Sequence, residues 1–167
     1  MKLKGKALRL PVNDNVNTDY VISGRYKFKI TDPKELAKYI FEDIAPNFYS
    51  RIKKGDFIVA GENFGCGSSR EQAPQTIKAA GVSAVIAKGY ARIFYRNSFN
   101  IGLALIECDT DSIEDGDLLE VDIKDGTLIN KTKNVKLFTN PIPPVMRKLL
   151  DDGGVIRHFK KHGGFKF

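Results

Sequence analysis

Three short apolar runs in the middle of the chain alternate with helical patterns, and this alternation restricts the fold more than any other feature. The runs cover residues 57–60, 82–87 and 103–107. Parallel strands need long crossover connections, which are usually helices, and strands buried on both faces are continuously apolar. The chain is therefore predicted to be an α/β protein with parallel strands joined by crossover helices.

Weaker patterns predict the rest of the chain. They indicate an opening strand over 3–10, a helix over 35–42 with Pro33 in its first turn, a β-meander at 118–123, 127–129 and 135–138, and closing helices at 143–150 and 155–161. Residues 11–29 are predicted to be a long polar loop, which in a compact domain is typical of function. No repeat or low-complexity linker interrupts the chain, so residues 1–167 are predicted to form a single domain.

A segment rich in glycine lies between the strand at 57–60 and a helix predicted over 73–80. Its sequence is Gly61-Glu62-Asn63-Phe64-Gly65-Cys66-Gly67-Ser68-Ser69-Arg70-Glu71-Gln72. Ser68 and Glu71 have the spacing of a capping box, which predicts that the helix starts there. Unpaired amides at a helix start favour anions, and Arg70 adds a two-pronged donor. The segment is predicted to be a small-anion site with hydroxyl groups beside it.

Three common loop chemistries do not match this segment. Ser68 follows Gly67 where a phosphate-binding loop needs lysine, Arg70 replaces the third glycine of a dinucleotide site, and the hydrolase pattern G-x-S-x-G is absent. Carboxylate recognition by Arg70, with chemistry by Ser68 or Ser69, remains. The alternative is that the serines only cap a helix and Arg70 is a solvated surface charge.

The same segment resembles the active-site loop of the aconitase superfamily, in the version found in separate small subunits of isopropylmalate isomerase and homoaconitase. Two further segments agree with this resemblance. Asn17-Thr18-Asp19, followed by Gly24-Arg25-Tyr26, resembles the family's N-terminal loop, and AKGYARIFYRN at 87–97 resembles its A-x-S-[FY]-A-R-I-F-Y-R-N motif. The similarity covers nearly the whole chain and implies a β/β/α swivelling domain.

The resemblance also implies an activity. Enzymes of this family are hydro-lyases that move a hydroxyl group between adjacent carbons of a malate-type acid, by dehydration and rehydration, with a [4Fe-4S] cluster. Cys66 and Cys108 are the only cysteines here, and a cluster needs at least three positioned thiolates. A large subunit is therefore expected to hold the cluster, in a heterodimer or heterotetramer, and this chain is expected to bind no metal.

Residue roles follow from the resemblance in the same way. Ser68 is implied to be the catalytic base, acting as an alkoxide that Arg70 and the loop amides stabilise. Ser69 and Arg70 would hold a substrate carboxylate. Asp19 would orient a catalytic group of the partner, with Thr18 beside it. The alternative is that Asp19 is only an Asx-turn residue in Asn17-Thr18-Asp19.

The resemblance also implies that substrate choice depends on the loop that contains Tyr26, Lys27, Phe28 and Lys29, because in this family it contacts the variable side chain of the substrate. Phe28 takes the discriminating place and is apolar, which disfavours a third carboxylate. Lys27 replaces the expected leucine, however, and Lys27 or Lys29 could bring in a cation. The preferred substrate is 3-isopropylmalate, followed by methyl-substituted malates such as citramalate or dimethylmalate, and then homoaconitate. Gln72 also differs from the family, in which a histidine often follows the Arg-Glu pair of the glycine segment.

Several other side chains have two interpretations. Arg92 and Arg96 are four residues apart on one helix face, and they either support the site or pair with acidic neighbours. Cys66 is predicted to be a small packed residue. His158 and His162, in a charged terminal helix, are predicted to be surface residues.

Composition narrows the class of protein. The net charge of +7 raises the alternative of a non-catalytic RNA-binding or regulatory module, but no nucleic-acid motif is visible and no nucleic acid is expected as a partner. No apolar stretch is long enough for a membrane span, and the N-terminus lacks the apolar core of a signal peptide. With only two cysteines and no disulfide spacing, a cytoplasmic location is expected.

Overall fold

The computed structural model describes all 167 residues and contains one seven-stranded sheet. Its strands are β1 Lys2–Arg9, β2 Phe57–Val59, β3 Ala84–Ala87, β4 Ala104–Glu107, β5 Leu118–Asp122, β6 Thr127–Asn130 and β7 Val135–Phe138. Its helices are α1 Thr18–Val21, α2 Gly24–Lys27, α3 Pro33–Ala37, α4 Gln72–Ala79, α5 Arg92–Asn100, α6 Pro144–Asp152 and α7 Val155–His162, with a 3₁₀ turn at Phe48–Arg51.

The sheet has a parallel half and an antiparallel half that share β1. The strand order is β4-β3-β2-β1-β5-β6-β7. Strands β1 to β4 are parallel, whereas β5 to β7 form an antiparallel meander. The last residues of β1 pair with β2 and its first residues pair with β5. Both the predicted parallel strands and the predicted meander are confirmed.

Burial explains why the central strands are so apolar. Every residue of β2 and β3 is buried, because helices and loops cover both faces of the parallel half. One cluster of 36 buried residues contains these strands and extends to β5 and β6. A single continuous core of this kind defines a single mixed α/β domain, as predicted. No helix is both long and apolar enough to cross a membrane.

The structure corrects the prediction of a loop over 11–29. Two short helices, α1 and α2, occupy part of it. The Asn17 side chain caps α1 by accepting hydrogen bonds from the amides of Asp19 and Tyr20, at 2.7 and 3.1 Å. Helices of four residues are too short to produce a hydrophobic period, so the sequence pattern could not reveal them.

Two other helical predictions were wrong in detail. Helix α3 ends at Ala37, earlier than predicted, since Phe41 adopts a left-handed φ of 55° and donates its amide to the Val21 carbonyl at 3.0 Å. Helix α4 starts at Gln72 with no side-chain cap, so the capping box of Ser68 is not formed. The Ser68 hydroxyl instead lies beside Thr18.

Candidate active site

The three segments singled out in the sequence meet at one edge of the sheet. They follow the carboxyl ends of β1, β2 and β3, where ligands bind in open α/β sheets. Backbone hydrogen bonds join them: the amides of Thr18, Gly65 and Phe64 donate to the carbonyls of Cys66, Val16 and Gly89, at 2.9, 2.7 and 2.9 Å. These contacts fix the glycine segment between the other two.

Gly65 permits this close assembly. Its φ of 80° is a conformation that favours glycine, and a Cβ added there would lie 2.1 Å from Cγ of Phe94 in α5. The Phe94 ring in turn packs edge-on against Phe64, with centroids 5.2 Å apart. Glycine is therefore required at position 65 for both backbone conformation and packing.

Ser68 and Thr18 bring two hydroxyl groups together. Thr18 is buried, and its Oγ1 donates to the Ser68 carbonyl at 3.0 Å and lies 3.3 Å from Ser68 Oγ. Ser68 itself is exposed at the surface of the loop. Ser68 is thus exposed to solvent, and the hydroxyl of the buried Thr18 is the neighbour of its own hydroxyl within the protein.

Asp19 lies between two cations. Its Oδ1 accepts from Arg70 Nη1 at 2.6 Å and from Lys27 Nζ at 3.0 Å. The Lys27 side chain is almost fully buried, with 2% exposed, whereas 54% of the Asp19 side chain is exposed. This charged group joins α1, α2 and the glycine segment. With two cations and one carboxylate, the group has a formal charge of +1.

The remaining predicted substrate-contacting residues lie near this edge with fewer contacts. Ser69 is exposed and its hydroxyl makes no hydrogen bond within the chain. Phe28 is 83% exposed, and Lys29 is also exposed. Tyr26 is held by stacking on Tyr39, with ring centroids 4.2 Å apart. Tyr26 is thus fixed by packing, and Phe28 presents an exposed apolar ring whose centroid lies 5.5 Å from the Lys27 ammonium group.

Arg92 and Arg96 lie on α5 as predicted, and both are exposed. Neither forms an ion pair or a side-chain hydrogen bond within the chain, so the interpretation that they pair with acidic neighbours is wrong for this structure. Gln72 is exposed at the first position of α4, and its carbonyl accepts from Thr76 Oγ1 at 2.7 Å.

The two cysteines do not suit an iron–sulfur cluster. Cys66 is partly exposed in the glycine segment, whereas Cys108 is buried after β4. Burial, with smaller contributions from the carboxylates of Asp109 and Glu107, raises the pKa of the Cys108 thiol to about 12. A cluster ligand must be a thiolate, so at neutral pH Cys108 is a poor donor and too few sulfurs remain.

Sequence reasoning missed two features of the site. Asn17 belongs to the first motif, but its role as the cap of α1 was not predicted, although Asn before a helix is a recognised capping signal. The buried pairing of Lys27 with Asp19 has no sequence signal, because eight residues and a chain reversal separate them. His158, predicted to lie at the surface, is fully buried away from this edge.

Comparisons with known proteins agree with the three motifs. The model of the aconitase C-terminal domain family matches residues 13–111. Small subunit 2 of 3-isopropylmalate dehydratase from Archaeoglobus fulgidus is 51% identical over 166 residues, 99% of either chain. The small subunit of the same enzyme from Thermodesulfovibrio yellowstonii is 52% identical, covering 96% of this chain and 95% of its own.

A solved structure shows the same likeness. The crystal structure of 3-isopropylmalate dehydratase from Methanocaldococcus jannaschii superposes with a TM-score of 0.93 at 45% identity. The match covers 98% of this chain and 96% of the other. The resemblance therefore extends over the whole fold, including the edge where the three segments meet.

Proposed function

This chain belongs to the family of the aconitase C-terminal domain, and from that premise we propose that it is the small subunit of a 3-isopropylmalate dehydratase. This hydro-lyase interconverts 2-isopropylmalate and 3-isopropylmalate in leucine biosynthesis. The observation that carries the proposal is the meeting of Thr18, Asp19 and residues 68–70 at one open edge of the sheet. All 167 residues act as one domain of the two-subunit enzyme.

Ser68 is the proposed base that removes a carbon-bound proton of the substrate. A serine hydroxyl is a weak acid, so its alkoxide needs stabilising charges and dipoles. The Thr18 hydroxyl lies 3.3 Å from Ser68 Oγ; its proton is donated to the Ser68 carbonyl in this structure, and rotation of that hydroxyl toward Ser68 Oγ would let it stabilise the alkoxide. The guanidinium of Arg70 is a second source of positive potential. Exposure of Ser68 leaves its oxygen accessible to a substrate.

Arg70 and Ser69 are the proposed carboxylate-binding residues. Arg70 uses one terminal nitrogen for Asp19, so its other N–H groups stay available for a two-pronged contact with a carboxylate. Asp19 orients Arg70 from the side of α1. The exposed ring of Phe28 supports an apolar substituent on the substrate, as in 3-isopropylmalate, over a third carboxylate as in homoaconitate. Citramalate and dimethylmalate remain alternative substrates, and Tyr26 and Lys29 belong to the same proposed specificity loop.

A large subunit completes the proposed site. The catalytic side chains lie on the outside of this chain, and its two cysteines cannot form a [4Fe-4S] site. We therefore assign the cluster to the large subunit, in a heterodimer or heterotetramer. Arg92 and Arg96, exposed without partners, are proposed to support the site from α5.

The proposed location is the cytoplasm, which both unpaired cysteines support. An RNA-binding role has only the basic segment at residues 157–162 in its favour. Lys161 of that segment is paired internally with Asp152 at 2.6 Å. A salt-sensitive RNA complex of the isolated chain, together with inactivity of the reconstituted enzyme, would favour that alternative.

The test is reconstitution with the large subunit after anaerobic rebuilding of its cluster. The pair should isomerise 3-isopropylmalate faster than citramalate or homoaconitate, and this chain alone should have no activity. Ser68→Ala should lower kcat by about a thousandfold, the effect of losing a general base together with its stabilised charge. Ser112→Ala removes an exposed hydroxyl elsewhere and should change nothing. Undiminished turnover by Ser68→Ala would exclude the proposed base.

A further inference from the structure

We propose that Lys27 is a positioning residue. Its ammonium group binds the Asp19 carboxylate, and this contact leaves the other N–H groups of Arg70 available to bind the substrate carboxylate. This inference rests on the proposed function and extends it to a residue that the resembling loops do not share, since leucine is expected at this position. It also explains why a lysine is tolerated inside the protein.

Lys27 is buried to a degree that is unusual for lysine. Only 2% of its side chain is exposed. Its stem lines a cavity of about 200 Å³ between α3 and α4, which Leu36, Gln72 and Thr76 also line. Asp19 is the one hydrogen-bond acceptor that the structure gives its ammonium group. Burying a charge is costly unless a counter-ion accompanies it, so Lys27 fixes Asp19 in place.

Asp19 makes its two cationic contacts through a single oxygen. Oδ1 accepts from both Lys27 and Arg70, and Oδ2 makes no hydrogen bond. Arg70 donates to Asp19 through Nη1 alone. Arg70 and Asp19 therefore do not form a two-pronged pair, in which two nitrogens would bond to the two carboxylate oxygens. Lys27 is the contact that opposes such alignment, because it pulls Oδ1 toward α2.

Removal of the Lys27 charge should change this balance. Asp19 would then have Arg70 as its only cation, and an aspartate and an arginine pair best through two parallel hydrogen bonds. That pairing would compete with the substrate carboxylate for the same N–H groups. The loss of one charge-assisted hydrogen bond weakens binding by about tenfold or more, so KM should rise by about that factor, while kcat changes less.

Two readouts test the proposal. The first is a crystal structure of the isolated Lys27→Met chain. Methionine keeps an unbranched apolar side chain at this position and removes the ammonium charge. Arg70 should move into a two-pronged contact with both oxygens of Asp19. The second is kinetics with the large subunit, in which Lys27→Met should raise KM for 3-isopropylmalate about tenfold and Lys27→Arg should recover part of the loss. Lys34→Met, at an exposed lysine of α3 without an ion pair, is the matched control.

The outcomes separate this proposal from the proposed function. An unchanged Arg70 contact together with an unchanged KM would overturn it and leave Lys27 as a packing residue. A fall in kcat at unchanged KM would also overturn it, because the residue would then act on the chemical step. If the wild-type pair does not act on isopropylmalate, the proposed function fails, and the crystal structure alone decides the positioning of Arg70. Lys27→Leu serves in the same way if the methionine variant does not fold.

Discussion

At the scale of single residues, one methyl group decides whether the glycine segment can pack. Gly65 combines a φ of 80° with a position where an added Cβ meets the Phe94 ring at 2.1 Å. Gly116 offers a matched comparison, since its φ of 87° is similar and an added Cβ meets nothing within 4 Å. Alanine substitutions at these two positions can therefore distinguish the effect of backbone strain from the effect of steric overlap.

We expect Gly65→Ala to lower the free energy of unfolding by about 3 kcal/mol, because left-handed strain and overpacking each contribute. Gly116→Ala should cost only about 1 kcal/mol, from the backbone alone. Urea denaturation of the isolated chain measures both values. Equal losses at the two positions would contradict the steric role assigned to Phe94.

Lys27 illustrates at the same scale what a sequence pattern leaves open. The motif places Lys27 in the predicted specificity loop, where the sequence suggests that its charge could be brought to the substrate. The fold then buries the side chain and gives it Asp19 as partner. That pairing arises from the path of α1 and α2, which no local pattern encodes.

At the scale of elements, one aspartate holds the two C-terminal helices together. Asp152, the last residue of α6, accepts from His158 Nδ1 at 2.7 Å and His162 Nε2 at 2.9 Å, and pairs with Lys161 at 2.6 Å. All three donors belong to α7. Phe167 stacks on the buried His158 ring, with centroids 4.7 Å apart. The predicted surface helix is therefore anchored by a largely buried carboxylate.

These contacts predict a dependence of stability on acid. Hydrogen bonds from Lys161 and His158, and then from His162, hold the pKa of Asp152 well below its usual range. The carboxylate binds its proton more readily in the unfolded chain, so its stabilisation is complete above about pH 4 and is lost as the pH falls toward the lowered pKa.

Denaturation curves between neutral pH and pH 2 measure this effect. Asp152→Asn should be less stable than the wild type at neutral pH, and the difference should narrow on acidification. Asp151→Asn, at an exposed neighbour without an ion pair, should track the wild type throughout. A constant difference between the wild type and Asp152→Asn over the whole pH range would show that the charge of Asp152 is not responsible.

The helices and strands were predicted correctly where burial gives the sequence a simple pattern. The continuously apolar strands β2 to β4 and the turn-bounded meander β5 to β7 were predicted within a few residues. The prediction failed at the start of α4, because Ser68 bonds with Thr18 and not with its own helix. Contacts between distant segments replaced the local cap.

At the scale of the whole molecule, the candidate site lies on one edge of the sheet and is not enclosed. Ser68, Ser69 and Phe28 are exposed there. The β5–β6 turn at residues 124–126 lies at the opposite edge, next to the first residues of β1, because β5 runs antiparallel to β1. The two edges can therefore be compared in a single experiment.

We expect the large subunit to slow amide hydrogen exchange over residues 66–70, since the proposed site is completed at that edge. Exchange at residues 124–126 should stay the same. Mass spectrometry of this chain, free and in the complex, measures both segments. Protection at the β5–β6 turn with none at 66–70 would contradict the proposed orientation of the partner.

The sequence by itself determined the α/β class, the parallel and antiparallel halves and the identity of the three motifs, because these depend on local periodicity and on residue types at fixed spacing. The tertiary structure alone decided which hydroxyl lies beside Ser68, how Asp19 is shared between Lys27 and Arg70, and that His158 is buried. Those features join residues that are 6 to 51 positions apart, and only the folded path of the chain brings them within hydrogen-bond distance.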